Sequence, residues 1–438
     1  MTDAVFAGLV AACGLDFGTS NTTLGVAGDS PALVALENDH ETLPSAIFFG
    51  ARDPGSRRDP APLIGRAAIN AYAAGENGRL MRSLKSVLGT DLIDQDTQLD
   101  SRRIAFREVL AQLLGEIKRR GELAAGRELE AVVHGRPVHF VDGDEEGDAR
   151  AESALAEIAR AVGFRHVTFQ YEPIAAALDY EQQVSGEEIA LIADIGGGTS
   201  DFSVVRIGPE RRKRTERVAD ILANGGVRIG GTDFDRLLSL SAFMPLLGYR
   251  SPMRKRGLNA PNGYFTDLAT WSKINFLYTP AIMSQLVQVQ RESAAPELIA
   301  RLIRVIEDHH GHRLAMMAER AKIRMVEARA VKVPLDWIEA DLAATMDQAG
   351  FDAATAELAD RIGETTQATI QAAIHRTIAE GGLTVGDIDT VFLTGGSTLL
   401  PNVRRAILAS LPEAKAVDGD RFGSVGLGLT LEATRRYR

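Results

Sequence analysis

Two apolar runs in this chain end in aspartate and then break into a glycine- and hydroxyl-rich turn, Gly14-Leu15-Asp16-Phe17-Gly18-Thr19-Ser20 and Ala193-Asp194-Ile195-Gly196-Gly197-Gly198-Thr199. Each is followed by a returning apolar strand, Thr23–Ala27 and Phe202–Ile207, so each reads as a β-hairpin. They start about 180 residues apart, which predicts a duplicated unit with one copy per lobe. Between them the pattern predicts helices over Ile64–Leu88 and Arg103–Gly121, a strand over Glu130–His134, a helix over Ala149–Val162, and a helix opening at Glu172-Pro173, where proline suits a first turn. After the second hairpin a helical insertion runs from about Gly231 to Gly350. The chain then returns to a strand at Thr390–Thr394, the turn Gly395-Gly396-Ser397-Thr398, and a helix from Pro401. The expected class is α/β, with lobe I over 1–187 (insertion about 39–115) and lobe II over 188–438 (insertion about 231–349).

Composition narrows what such a chain can do. Its 438 residues suit two lobes, and 45% hydrophobic with 25% charged residues is a globular balance. A net charge of -10 argues against nucleic acid as the main partner, since a phosphate backbone calls for a basic face. No run of about 18 apolar residues occurs, so no membrane span is expected. Val10-Ala11-Ala12-Cys13 looks superficially like a lipoprotein cleavage site, but the segment before it carries Asp3 and no Lys or Arg, and a buried first strand is the better reading. Cys13 is the single cysteine, which excludes an internal disulfide and makes a cytoplasmic setting the default expectation. The chain ends about 40 residues after Gly396, too few for a further folded domain.

The chemistry lies in the turns. Glycine lets backbone N–H groups approach phosphate oxygens, and an aspartate just before it can orient a hydrated cation. A single turn of this kind is common, whereas a matched pair suggests a clamp. Gly14 to Asn21, Ala193 to Asp201, Gly230-Gly231-Thr232-Asp233-Phe234-Asp235 and Leu393 to Pro401 resemble the nucleotide-binding segments of the actin and heat-shock-chaperone ATPase superfamily. Lys85 ahead of Leu88-Gly89, the Glu172–Ala177 run and Glu319-Arg320-Ala321-Lys322 narrow the resemblance to DnaK-type chaperones, in a short YegD-like branch without the peptide-binding domain. The implied fold is the actin-like ATPase fold: two duplicated RNase H-like lobes, each a mixed sheet flanked by helices, with inserted subdomains.

That resemblance implies ATP/ADP and Mg²⁺ as cofactors and a residue-by-residue site. Asp16 and Asp194 would orient the waters of Mg²⁺; Gly18, Thr19, Ser20 and Asn21 would grip phosphates from one side, and Gly196, Gly197, Gly198 and Thr199 from the other. Lys85 would sit near the γ-phosphate. Glu172 and Thr199 would position the attacking water and Asp201 would accept its proton, although Glu172 could instead simply cap the helix it opens. Gly395, Gly396 and Ser397 would admit the nucleoside, with Glu319 and Lys322 on the ribose hydroxyls, and Gly230 and Gly231 would also belong to the nucleotide site. DnaK-type proteins sandwich the adenine between arginines where this chain has Ile323 and Leu399, so weaker adenine affinity is expected. Protein clients or co-chaperones would be the partners.

Other features are read as structural. His309, His310 and His312 are expected to be exposed helix histidines rather than a metal cluster, and Asp142–Gly147 a solvated turn, because position twelve of a calcium loop would be Ser153. Arg211–Arg214 and Arg254–Arg256 are expected at solvated loop tips. The aromatic-rich stretch Phe243–Pro280 reads as a local core before it reads as a partner surface. The absence of G-x-x-x-x-G-K-[ST] excludes a P-loop enzyme. The rival classes are an actin-like filament protein of the MreB kind, a sugar or acetate kinase, and a nucleotide-binding pseudo-ATPase.

Overall fold

A computed structural model describes residues 10–52, 59–99, 102–141, 144–212, 214, 217–378, 381–420 and 423–437. The strands used below are β1 (Ala12–Phe17), β2 (Asn21–Val26), β3 (Ala131–Arg136), β4 (His166–Tyr171), β5 (Glu188–Ile195), β6 (Ser200–Ile207), β7 (Ile221–Val227), β8 (Thr390–Thr394) and β9 (Lys415–Asp418). The helices are α1 (Phe106–Ala125), α2 (Glu145–Ala161), α3 (Glu172–Tyr180), α4 (Gly231–Leu238), α5 (Gly311–Met325), α6 (Gln348–Thr377) and α7 (Ser424–Tyr437).

The chain divides into two compact units. Unit 1 comprises Met1–Gly230, Ile362–Thr398 and Arg405–Arg438; unit 2 comprises Gly231–Arg361 and Leu399–Arg404. Both large sheets belong to unit 1, and they repeat one topology. The first runs β4-β3-β1-β2 and ends on the short strand Ala32–Leu33, while the second runs β9-β8-β5-β6-β7. In each, an antiparallel hairpin (β1/β2, β5/β6) is extended by two parallel strands on the side of its first strand. The duplication expected from the two Asp-Gly turns is therefore present in the backbone, and the fold is α/β with mixed sheets flanked by helices, the actin-like ATPase fold.

Alternation along β1 sets its two faces. Cys13, Leu15 and Phe17 point into a core built with α1 and α2, which contribute Leu110, Leu113, Leu155 and Ile158. The other face carries Ala12 and Gly14 and packs against α7. A Cβ at Gly14 would lie 2.2 Å from the backbone nitrogen of Thr430, one at Gly25 2.1 Å from the Thr430 hydroxyl, and one at Gly428 1.7 Å from the Ala175 carbonyl oxygen. Glycine is thus required where α7 touches β1, β2 and α3 almost backbone to backbone. The alanines of α3 and α7, with Ile192 and Val205 of the second sheet, complete this inner core.

Several local expectations need correction. Residues 64–88 are not one helix: the strand Leu63–Ile64 is followed by a helix over Arg66–Ala73, a strand over Gly78–Arg82 and a 3-10 turn over Leu84–Val87. Leu80 and Met81 are adjacent and both buried, with Arg79 and Arg82 on either side, so the strand shows no period of two, and Gly75 follows the end of the helix. Arg102–Ala105 is a strand ahead of α1. α2 begins at Glu145, four residues before the expected start, because Asp144 caps it by accepting from the Gly147 N–H at 2.8 Å; the rest of that acidic stretch, residues 142 and 143, lies outside the described residues. Arg211 is not a solvated tip: it pairs with Glu187 at 3.0 Å and with Asp220.

Unit 2 is mainly helical, with a ribbon of Ala330–Pro334 against Ala343–Asp347. Phe243 and Phe265 are buried in it, as a local core demands, while Phe276 is 71% exposed. Of the three histidines His309 is exposed as expected, whereas His310 is half-buried and His312 buried. His309 stacks on Tyr278 at 4.2 Å, His310 meets Trp337 edge-on at 5.0 Å, and His312 packs edge-on against Trp271 at 4.6 Å and is 1% exposed. They begin α5 by pinning aromatic rings around it, and among the described residues no His, Cys, Asp and Glu group could hold a metal. Among the same residues no helix is long and apolar enough to cross a membrane.

Gly428→Ala tests the helix contact. The added methyl must push α7 off the Ala175 carbonyl, so it should lower unfolding stability by about 3 kcal/mol. Gly186→Ala, at a position with nothing within 4 Å, should leave the urea midpoint nearly unchanged.

Candidate functional site: the paired Asp-Gly turns of unit 1

The two hairpin turns close with the same hydrogen bond. Gly18 N–H donates to the Asn21 carbonyl at 3.0 Å, and Gly196 N–H to the Thr199 carbonyl at 2.9 Å. They face each other closely: a Cβ at Gly197 would fall 2.0 Å from Ser20 Oγ, and one at Gly198 3.3 Å from Thr19 Cγ2. The first turn is braced from behind by Ser45, whose hydroxyl donates to the Gly18 carbonyl at 2.7 Å and whose N–H donates to the Ser20 carbonyl at 2.9 Å. The second is braced by Gly230, where a Cβ would meet the Gly198 nitrogen at 2.4 Å, and by the third turn. There Gly395, at φ 82°, packs against Asp194 Oδ1 and the Ile195 carbonyl; Gly396 follows it, and the Ser397 hydroxyl donates to the Gly196 carbonyl at 3.3 Å. A side chain at Gly395 would be strained by its backbone and would strike the carboxylate.

Five charged side chains converge on these turns. Asp16 and Asp194 end the first strand of each hairpin, and Asp201 lies directly across the ladder from Asp194. Glu172 is the first residue of α3, and Lys85 comes from the 3-10 turn that follows Ser83. Lys85 Nζ is 2.5 Å from Glu172 Oε1. Gly135, at the end of β3, makes room for that contact, since a Cβ there would sit 3.2 Å from Glu172 Cγ. Thr199 donates its hydroxyl to Asp201 Oδ2 at 2.8 Å.

Four carboxylates thus share one ammonium in a half-buried cleft. Burial, reinforced by the Glu172 charge and only partly opposed by Lys85, pushes Asp16 up to about 7. Burial and the charges of Glu172, Asp201 and Asp16 hold Asp194 well above the carboxylate range. For Lys85, burial pulls downward, but Glu172, Asp16 and Asp201 outweigh it and the net shift is upward. The cluster therefore lacks positive charge. Among the described residues no three acidic, His or Cys side chains converge tightly enough to ligate a metal directly. The surplus negative charge of four carboxylates against one ammonium suits a hydrated cation such as Mg²⁺.

His134 is a residue that spacing alone does not point to. It is fully buried on β3 between Phe17 and Phe169, with Nδ1 2.9 Å from the Gly135 carbonyl; burial first, and the Lys85 charge as well, push it down to about 4, so it stays neutral. Ser45 and Gly135 are further members of the site beyond the expected set. Nothing in the spacing around Ser45 singles it out, whereas a polar His-Gly-Arg at the end of an apolar strand is a readable signal.

A family model for the Hsp70 protein matches residues 101–243 and 303–430, more than half of the chain. The chain belongs to the Hsp70 protein family. The matched residues include Glu172, the second and third turns and α5, while Asp16, the first turn and Lys85 precede them. The structure nevertheless assembles Asp16 and Lys85 with Glu172 and Asp194 in one cluster. Hsp70-family proteins are ATP-binding, chaperone-type ATPases that use ATP/ADP with Mg²⁺.

The remaining expected residues lie in unit 2. Lys322 of α5 donates to the Gly231 carbonyl at 2.9 Å and pairs with Asp235 at 2.9 Å, which ties α5 to the start of α4. Glu319 lies one helical turn earlier on α5. Ile323, the next residue after Lys322, is 60% exposed and Leu399 is half-buried.

The charge surplus makes a pH prediction. Because folding raises the Asp16 pKa above 3.8, folded protein binds the extra proton, so the stability this supports is present at low pH and is lost as pH rises through about 7. In Mg²⁺-free, nucleotide-free buffer, Asp16→Asn should therefore be more stable than wild type at pH 8, by on the order of 2–4 kcal/mol, with the gain vanishing towards pH 4. Urea titrations at both pH values check it.

Proposed function

We propose that this chain is a slowly hydrolysing Mg-ATPase of the chaperone type, belonging to the short YegD-like branch, in which lobes 1–187 and 188–438 close on nucleotide and reopen after hydrolysis. The observation that supports it most directly is the cluster of Asp16, Glu172, Asp194 and Asp201 around Lys85, set between two facing glycine turns. Asp16 and Asp194 are the residues that would hold a hydrated Mg²⁺, whose chemistry is to neutralise charge on the β- and γ-phosphates.

The protein groups divide the remaining work. Backbone N–H groups of the two turns grip the phosphates, and the hydroxyls of Thr19 and Ser20 face Gly198 and Gly197 across the gap. Lys85 leaves Glu172 for the γ-phosphate and stabilises the charge that spreads over it. Glu172, so released, orients the attacking water with Thr199. The Thr199 hydroxyl already donates to Asp201, so its oxygen lone pairs face outward to accept from that water, and the proton passes towards Asp201. Ile323 and Leu399 contact the base without the arginine stacking found in DnaK-type proteins. A cytoplasmic location and protein clients or co-chaperones complete the reading.

Two outcomes test it. Lys85→Ala should retain ATP within about tenfold of wild-type affinity and lose 100-fold or more in single-turnover hydrolysis. A wild-type protein that binds ATP with no turnover in that assay is a pseudo-ATPase, and the hydrolytic half of the proposal falls. Ile323→Arg should tighten ATP by roughly three- to thirtyfold in a calorimetric titration, the equivalent of one restored cation–π contact. No gain there would remove the base contact assigned to this position.

A further inference from the structure

We propose that unit 1 carries a second ligand site, an arginine-lined cavity beside the strands Ala46–Gly50 and Gly78–Arg82 that takes a compact organic dianion bearing phosphate or carboxylate groups. The cavity has a volume of about 230 Å³, and Arg52, Arg79 and Arg102 all line it. Asp59 is the one carboxylate among its described lining residues, and two of the arginines already share it: Arg52 Nε at 2.8 Å from Oδ1 and Arg102 Nε at 3.3 Å from Oδ2. Arg79 donates to a backbone oxygen, the Gln98 carbonyl, and has no carboxylate partner among the described residues. Burial pushes its pKa down, as expected of a guanidinium removed from water without a counter-charge. Among the described lining residues, three cations stand against one anion, in a chain whose net charge is -10.

Size and walls narrow the ligand. The volume holds several waters at about 30 Å³ each, yet falls below the ~300 Å³ at which pockets for drug-sized ligands begin, so a nucleotide is too large. Buried Phe49 and Leu99 supply apolar wall, which suits a short carbon skeleton between the charged groups. Planar guanidinium forks match carboxylate or phosphate oxygens two at a time. Nearly all of this cavity precedes the residues matched by the Hsp70 family model, and it is built from side chains separate from the aspartate cluster.

Calorimetric titration of the full chain with inorganic phosphate and, separately, with succinate tests the proposal, with Mg-ADP present so that phosphate does not report on the glycine turns. One or both anions should bind with one-to-one stoichiometry, and Arg79→Gln and Arg102→Gln should each weaken that binding tenfold or more. Phosphate alone assigns the site to phosphate esters, and succinate, alone or with phosphate, to dicarboxylates. Arg102 is well exposed, so its variant keeps the fold, which a melting curve verifies. The site is refuted if neither anion binds, or if both variants bind as wild type does. Phosphate held at the glycine turns is indifferent to these arginines, so the outcome is independent of the ATPase reading.

Discussion

The contact of α7 with β1 and α3 fixes the geometry on which the rest depends. Asp16 is the fifth residue of β1 and Glu172 the first residue of α3, so their separation is set by how those two elements lie on a common support. That support is α7, which reaches the β1 backbone at Gly14 and the α3 backbone at Gly428, with no side chain between. Side-chain packing tolerates small shifts; backbone seated on backbone does not. The charged cluster keeps its spacing through that stiffness, and the C-terminal helix supplies it to residues that lie near the start and the middle of the chain.

The same rigidity explains how the protein tolerates an unfavourable site. Asp194 and Asp201 are direct cross-strand neighbours, and like charges so placed repel. Both hairpins are anchored in continuous apolar cores, so the repulsion cannot be relieved by moving the strands. It is relieved instead by protonation, which the raised Asp16 and Asp194 already take up towards neutral pH, and by the Lys85 ammonium. Strain held in this way makes ligand binding and stability two readings of one charge imbalance.

Much of the fold was legible in the sequence because its signals are local. An apolar run ending in Asp and glycine states a strand and its turn, and two copies state a duplication, which the two sheets display. Lys85 and Glu172 are 87 residues apart and no periodicity connects them; a family resemblance, not spacing, put them together. The segment 64–88 misled because short strands separated by Gly75 and Gly78 carry too few residues to show a period of two. His310 and His312 misled for a different reason: their neighbours Trp337 and Trp271 come from distant positions that only tertiary packing defines. Glycine contacts such as Gly428 on Ala175 are equally silent, since a glycine in a helix reads as a flaw until its partner is known.

The duplication is also broken at the position opposite the aspartate of each hairpin. Asp16 and Asp194 occupy equivalent ends of equivalent strands, and the residue across the ladder is Thr23 in the first hairpin but Asp201 in the second. Turn closure is the same in both, yet the second alone places a hydroxyl, Thr199, in hydrogen bond with that opposing carboxylate. A symmetric pair of turns can grip a phosphate chain from two sides, but it cannot tell one end of a reaction from the other. A carboxylate in place of a neutral hydroxyl at one of the two equivalent positions puts an acceptor on the second hairpin alone, which is what the proposed proton transfer to Asp201 would use. On the proposed reading, gripping would draw on the turn closure the two hairpins share, and proton transfer on the carboxylate that only the second carries.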